Sequence, residues 1–138
     1  MWIVFALLGA LFAALTSIFS KIGLYGVDSN LAVAIRTVVI LVFAWGIVLA
    51  TGRHAQLTAV PLRSWSFLIL SGVSTGASWL FFYRALQLGE VSRVVPVDRL
   101  SLVLAILLAF MFLGEPISPK LLLGSAFVVL GVVIIAIA

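Results

Sequence analysis

The chain has 138 residues, no cysteine and a formal net charge of +4, from eight basic and four acidic side chains. Hydrophobic residues make up 65% of it and charged residues 9%, against about 25% charged residues in soluble domains. This composition excludes a soluble globular protein, a disulfide framework and a thiolate metal site, and it predicts an integral membrane protein in contact with the lipid bilayer. The basic residues are dispersed among apolar segments, so we expect no nucleic-acid partner.

Five apolar segments are each long enough to cross about 30 Å of hydrocarbon. The expected helices cover residues 2–24, 31–50, 65–88, 94–113 and 119–138. The first segment lacks the basic start of a signal peptide, and four similar segments follow it, so we interpret it as a membrane helix. The predicted fold class is therefore an all-α integral membrane protein, with residues 1–138 forming a single five-helix transmembrane domain.

The first two helices each carry a basic residue near the same end of the membrane. Lys21 lies in the polar last part of the first helix, where a long side chain can extend to the interface. Residues 25–30 (YGVDSN) supply turn and N-cap residues before the second helix. Arg36 lies more than one turn inside that helix. Two interpretations remain open, because its side chain either extends to lipid phosphates or faces a cavity as a fixed cation.

The connection from residue 51 to residue 65 is the longest polar segment and contains the only histidine, His54. A zinc site needs several ligands, and the chain has no second histidine and no cysteine. We interpret His54 as a solvated loop residue and expect no metal and no cofactor. No nucleophile with an adjacent base and no phosphate-binding loop is found, so an enzyme is the least favoured class.

The third helix changes character along its length. Its middle is rich in serine and glycine, and Gly72 and Gly76 have the spacing that permits close backbone approach. Trp79 and Tyr83 are four residues apart and share one helix face, with Arg84 one step round from them. An aromatic belt at the interface explains the rings, whereas rings and a cation beside a small-residue wall also form a plausible small-molecule surface.

Residues 79–101 hold five of the twelve charged side chains. A charge costs roughly 2.5–3.5 kcal/mol at the centre of a membrane helix, so charges at depth need partners or water. Asp98 and Arg99 lie at the expected start of the fourth helix, which we predict Pro96 to open. The helix dipole favours an acid there, and pairing of Asp98 with an arginine of another helix is the alternative.

Seven of the side chains described above form the predicted substrate-binding site. All of them except Lys21 are expected to face one shared, water-filled vestibule. The predicted substrate-binding residues are Lys21, Arg36, Trp79, Tyr83, Arg84, Asp98 and Arg99.

The last predicted helix has a packing role. In residues 113–120 (LGEPISPK), Glu115 before Pro116 ends one helix and Pro119 helps to start the next. The fifth helix is apolar apart from one serine. Gly124 and Gly131 are one heptad apart, which suits helix packing, as proposed for the glycine pair of the third helix.

A comparison of the chain with itself at an offset of 63 residues aligns five polar or small positions with five others. Gly9, Lys21, Gly26, Ser29 and Arg36 align with Gly72, Arg84, Gly89, Ser92 and Arg99. Chance and an internal repeat both explain this match. A repeat would make the first and second pairs of helices related hairpins, each presenting a basic pair on the same side of the membrane.

Short motifs follow one another along the five helices: AALTSIFSK, AIRT, YRAL with VP, LGEP and GSAFVVLG. In this order they resemble the EamA-type repeat of the drug/metabolite transporter superfamily, over essentially the whole chain. The resemblance implies that helices one to four line a central pathway, that the fifth is peripheral, and that small metabolites are exported or exchanged. The small four-helix multidrug exporters of this superfamily use a glutamate in the first helix, and residues 10–20 contain no acid here.

Most proteins of this superfamily carry two inverted five-helix repeats, whereas this chain has one, so it resembles the single-repeat branch and needs a partner. Basic residues are nearly balanced across the membrane, and a weak bias allows insertion in both orientations. We expect an antiparallel homodimer, or alternatively an inverted heterodimer with a related chain. The expected location is a prokaryotic cell (inner) membrane.

The expected function is secondary transport of a small, anionic or zwitterionic metabolite by alternating access. A non-transporting membrane scaffold or subunit and a lipid-precursor flippase are the alternatives. Scaffold helices would need none of the charged residues Arg36, Arg84, Asp98 and Arg99.

Overall fold

The structure is a computed structural model that describes residues 1–138, and it consists of helices without strands. The helices are α1 (Trp2–Gly23), α2 (Ser29–Ala50), α3 (Leu62–Leu88), α4 (Val91–Asp98), α5 (Leu100–Leu108) and α6 (Pro119–Ile137), with a 3₁₀ helix at Arg53–Ala59 and a π-helical segment at Ala109–Leu113. Helices α4 and α5 and the π-helical segment together form one membrane span, which gives five spans in all. The predicted all-α fold class is confirmed.

Local chemistry accounts for where two of the spans begin. The Asp28 carboxylate caps α2, because one of its oxygens accepts hydrogen bonds from the backbone N–H groups of Asn30 (2.9 Å) and Leu31 (3.2 Å). Ser118 caps α6 in the same way, and Pro119 occupies the first helical position, where its missing N–H is harmless. Short polar turns therefore separate long apolar helices.

The fourth span begins at Val91, earlier than the expected residue 94, so Pro96 lies inside α4 rather than at its start. The prediction that this proline opens the helix was therefore wrong. The backbone carbonyl of Glu90, the N-cap residue, accepts the first helical hydrogen bond, from the N–H of Val94 at 2.9 Å. The helix thus has its first turn before the proline, and the proline removes one hydrogen bond from its interior.

Asp98 and Arg99 lie where α4 ends and α5 begins, and not at the start of the fourth span. Helix α4 ends at Asp98 and α5 begins at Leu100. The N–H of Arg99 donates to the carbonyl of Pro96 at 3.0 Å and to that of Val95 at 3.3 Å, which is a tightened last turn. Pro96 itself removes a different hydrogen bond, the one that its missing N–H would donate to the carbonyl of Ser92 in the preceding turn.

Contacts divide the chain into two compact units. The first unit comprises Met1–Ile18 and Leu88–Ala138, and within it α6 packs against α4 and α5. The second unit, Phe19–Gln87, contains the end of α1, all of α2, the 3₁₀ helix and almost all of α3. We refer to it below as the Phe19–Gln87 unit.

Most buried side chains of the protein belong to the Phe19–Gln87 unit. They lie near the end of α1, the start of α2 and the end of α3, and they are Ser20, Leu24, Ser29, Val33, Tyr83 and Leu86. Val132 in α6 is also buried, whereas most large apolar side chains of the protein are exposed, and at most 11% of any membrane span is buried within the chain. In a bilayer such surfaces are covered by lipid or by another subunit.

Candidate substrate-binding site

Arg36 of α2 lies over two aromatic rings of α3. Its guanidinium carbon is 4.0 Å from the centroid of the Trp79 ring and 5.5 Å from that of Tyr83. The two rings are one helical turn apart and therefore share a face. Cation–π contacts of this kind contribute about 0.5–1 kcal/mol when exposed and about 2 kcal/mol when desolvated. The guanidinium thus lies against the protein instead of extending away from the helices.

The donors of Arg36 remain available. The guanidinium has five N–H donors in a planar fork, and contact with ring faces satisfies none of them. The ion pair in the chain joins Arg93 and Glu90, two exposed residues 3.6 Å apart, and Arg36 has no such partner. Its side chain is half-buried, and none of its nitrogens is both enclosed and unsatisfied. A ligand could therefore reach these donors.

Tyr83 is held in place from the opposite side by α1. Its side chain is only 3% exposed, and its hydroxyl forms a 2.7 Å hydrogen bond with the hydroxyl of Ser20, which is also buried. This bond joins two positions 63 residues apart and fixes one of the rings beneath Arg36. Sequence reasoning missed Ser20. The available signal was the three-residue spacing of Ser17 and Ser20, which places two hydroxyls on one face of an otherwise apolar helix.

Lys21 connects the ends of two helices. Its ammonium donates to the backbone carbonyl of Leu86 near the end of α3, where the helix dipole favours a cation. Next to it, the side-chain amide of Gln87 donates to the carbonyl of Val27 at 3.0 Å. A cavity of about 230 Å³ adjoins these contacts. Lys21 thus holds α1 to α3 beside the Arg36 contacts.

Arg84 lines a different pocket. It is exposed, and its guanidinium donates to the Gln87 side-chain oxygen at 2.8 Å. The pocket has a volume of about 430 Å³, and its other lining residues are Asp28, Ser29, Asn30, Leu80 and Phe81. Because successive residues are about 100° apart around a helix, Arg84 and Tyr83 point in different directions.

Asp98 and Arg99 belong to the first compact unit, at the break between α4 and α5. Both side chains are exposed, and neither forms an ion pair. Of the predicted site residues, the structure brings together Arg36, Trp79 and Tyr83, with Lys21 nearby at the end of α1. A vestibule shared with the acidic and basic pair of α4 stays a prediction.

The four glycines assigned to helix packing are open within the chain. A Cβ atom added to Gly72, Gly76, Gly124 or Gly131 would meet no atom within 4 Å beyond its own helix. No close backbone approach inside the chain uses these positions. Their packing role therefore concerns contacts with another chain and stays a prediction.

The charge of the protein is unevenly distributed. The Phe19–Gln87 unit contains five basic residues and one acid, Asp28, whereas the first unit has three of each. The net charge of +4 thus lies entirely in the unit that holds Arg36. Such an excess of one sign attracts solutes of the opposite sign, most strongly where low-dielectric walls confine the field.

Comparison with known proteins adds two matches. The model of the EamA-like transporter family matches residues 1–137. A protein of Sinorhizobium sp, named "Uncharacterized transporter in cobO 3'region", is 46% identical over 136 residues, which cover 99% of this chain and 96% of the relative. No solved structure matches the chain at a significant level.

Proposed function

The chain belongs to the EamA-like transporter family, and from this premise we propose that it exports or exchanges a small anionic or zwitterionic metabolite by alternating access. Membership confirms the resemblance found in the sequence motifs and the expectation of a membrane transporter and not an enzyme. The substrate, the transport cycle and the assembly are the proposed part, as is placement in a prokaryotic cell (inner) membrane.

The observation that carries this proposal is the contact of Arg36 with Trp79 and Tyr83. Arg36 comes seven residues after Ser29, the first residue of α2, so its backbone lies about 10 Å along the helix. A cation at such depth in a membrane protein is costly unless it faces the protein interior or water, and it marks substrate and ion pathways. A scaffold would gain nothing from it.

We propose that two chains assemble in opposite orientations, as an antiparallel homodimer or as an inverted heterodimer with a related chain. A single five-helix repeat supports this arrangement, because transporters commonly place their site at the interface of two inverted repeats. The large exposed apolar surface and the open glycines of α3 and α6 supply area for such an interface.

A lipid-precursor flippase is the second candidate, and the pocket at Arg84 favours it. This pocket is open, lies where α2 begins and α3 nears its end, and contains a guanidinium that can hold a headgroup phosphate. A water-soluble metabolite remains the first candidate, because the Arg36 contacts lie deeper along the helices.

Exchange by the purified protein in liposomes tests the proposal. Vesicles loaded with a pooled metabolite mixture are diluted into isotope-labelled mixture, and mass spectrometry identifies the solutes that exchange. We expect Arg36→Gln to abolish exchange, because it removes the cation that faces the rings. Arg63→Gln is the matched control, since Arg63 makes an exposed contact at 6.0 Å with the ring of Phe67 near the start of α3. Undiminished exchange by Arg36→Gln would refute the site, and no exchange by the wild-type protein, either alone or purified together with a related chain, would refute the function.

A further inference from the structure

We infer that Arg36 recognises an oxyanion of the solute, a carboxylate or a phosphate, through the edge of its guanidinium, while the aromatic rings occupy its face. The inference rests on the proposed function and narrows its substrate class to net anions, which excludes zwitterions that need a paired acid. Three observations support it: the geometry of the N–H donors of Arg36, the absence of an ion-pair partner for Arg36, and the constrained ring of Tyr83.

The donor geometry selects the ligand. Arg36 contacts Trp79 at 4.0 Å through its central carbon, which leaves the N–H groups around its periphery without a protein acceptor. Two parallel N–H bonds of a guanidinium match the two oxygens of a carboxylate or phosphate. An amine offers no acceptor for these donors, and a neutral amide offers one oxygen without charge.

No acid of the same unit neutralises this arginine. The one acid of the Phe19–Gln87 unit is Asp28, and its oxygen is engaged by the first N–H groups of α2. The unit therefore has an excess of positive charge, and its one carboxylate lies in the pocket of Arg84 and forms no ion pair with Arg36. A bound oxyanion would supply the negative charge that the Arg36 guanidinium does not receive from the protein.

One of the two rings that contact Arg36, that of Tyr83, is itself constrained. Tyr83 is buried and hydrogen-bonded to Ser20, and its ring lies 6.4 Å from that of Phe82 in an edge-to-face arrangement. Because the Tyr83 ring is held before any ligand arrives, it loses little side-chain freedom when a ligand binds. The aromatic contacts therefore act as a positioning device for the guanidinium.

Fluorescence of Trp79 offers a direct test. The chain has four tryptophans, and the variant Trp2→Phe, Trp45→Phe, Trp65→Phe leaves only the ring under Arg36 as a reporter. Benzoate and phenyl phosphate are titrated as oxyanion probes, with benzamide and benzylamine as neutral and cationic controls of similar shape. We expect saturable changes in emission with one or both oxyanions and none with the controls.

Substitution of the arginine separates charge from geometry. Arg36→Lys keeps a cation that can contact the ring but loses the planar fork, so we expect the apparent affinity for the oxyanion to fall by roughly tenfold or more. Arg63→Gln, in the same single-tryptophan background, should leave the affinity unchanged. Equal responses to benzamide or benzylamine, no saturable response to either oxyanion, or full affinity in Arg36→Lys would each overturn the inference. The comparison of the four probes uses the single-tryptophan protein that retains Arg36, so it tests the inference even if an Arg36 variant fails to fold.

Repeating the titration in nanodiscs with and without phosphatidylglycerol identifies the source of the oxyanion. If phosphatidylglycerol competes with the probe, the site binds lipid headgroups. If it does not compete, the site binds soluble anions. The liposome exchange assay keeps the two proposals separable. Exchange of neutral solutes without any oxyanion response would overturn this inference alone, whereas oxyanion binding without exchange would overturn transport and leave the anion site standing.

Discussion

At the scale of single residues, the contact between Ser20 and Tyr83 fixes one of the two rings that Arg36 contacts. The two hydroxyls are buried and 2.7 Å apart, so each satisfies the other where neither has access to water. The bond holds the tyrosine ring, and the ring in turn contacts the guanidinium at 5.5 Å. A serine absent from the predicted site therefore supports the residue at its centre.

This arrangement predicts a specific coupling between the two hydroxyls. Tyr83→Phe and Ser20→Ala should each lower the thermal stability of the purified protein. Each substitution removes one hydroxyl and leaves the other one buried without a hydrogen-bond partner. The double variant should lose less than the sum by about 0.6 kcal/mol, the average for hydrogen bonds between membrane helices, for which the largest measured values are about 1.7 kcal/mol. Thermal unfolding of all four proteins gives the coupling energy, and strict additivity would show that the bond contributes nothing.

At the scale of elements, the broken fourth span separates this protein from a simple five-helix bundle. Pro96 lies inside α4, and the helix is interrupted between Asp98 and Leu100. A proline in a helix interior costs about 3 kcal/mol, since it removes a hydrogen bond and crowds the preceding turn. The exposed side chains of Asp98 and Arg99 lie at this interruption, so the irregular backbone and the charged pair occur together.

We expect Pro96→Ala to stabilise the protein, because the restored N–H can complete the helix in this span. Thermal unfolding measures the change, and loss of solute exchange in the same variant would assign the break to the transport cycle. Pro116→Ala is the control. Pro116 lies in the turn before α6, outside any helix, so its removal should only increase the freedom of the unfolded chain and lower stability slightly. A melting temperature for Pro96→Ala at or below that of the wild type would contradict this account.

A second prediction at this scale concerns α6. Gly124→Leu and Gly131→Leu should weaken association between chains more than binding of an oxyanion, because neither position offers a polar contact and each is open within the chain. Ala126→Leu, on an exposed and different face of the same helix, is the matched control. Cross-linking in liposomes measures association, and Trp79 emission measures binding. Intact association with lost binding would reverse the assignment.

At the scale of the whole molecule, the single chain leaves nearly all of its apolar surface exposed, and each span is at most 11% buried. Lipid can cover this surface, but the small residues on it are typical of helix–helix contacts in membranes. The balance of basic residues across the membrane gives only a weak orientation signal. Both features agree with two oppositely inserted copies of one chain.

Cysteine labelling measures that orientation directly, since the chain contains no cysteine of its own. His54→Cys reports the connection between α2 and α3, and Ala138→Cys reports the end of the chain after α6. With the chain expressed alone, we expect both positions to react with impermeant reagents from both sides of the membrane. Reaction of each position from one side only would exclude dual topology and require a different polypeptide as the partner.

The sequence alone determined the class of protein, the number of spans, most helix ends and the family. These properties depend on runs of about twenty apolar residues and on turn chemistry within a few positions, so they can be read without knowing the neighbours of any residue. Arg36, Trp79 and Tyr83 were predicted within a group of seven that also included Lys21, Arg84, Asp98 and Arg99, because charges deep in a membrane need partners or water.

Only the tertiary structure decided how those residues are arranged. It brought Ser20 to Tyr83 across 63 positions, placed Arg84 in another pocket and put Pro96 inside a helix. The facing direction of a side chain turns by about 100° per residue, so it depends on how each helix is rotated and what it packs against. That rotation is set by contacts between distant segments, which no local stretch of the sequence contains.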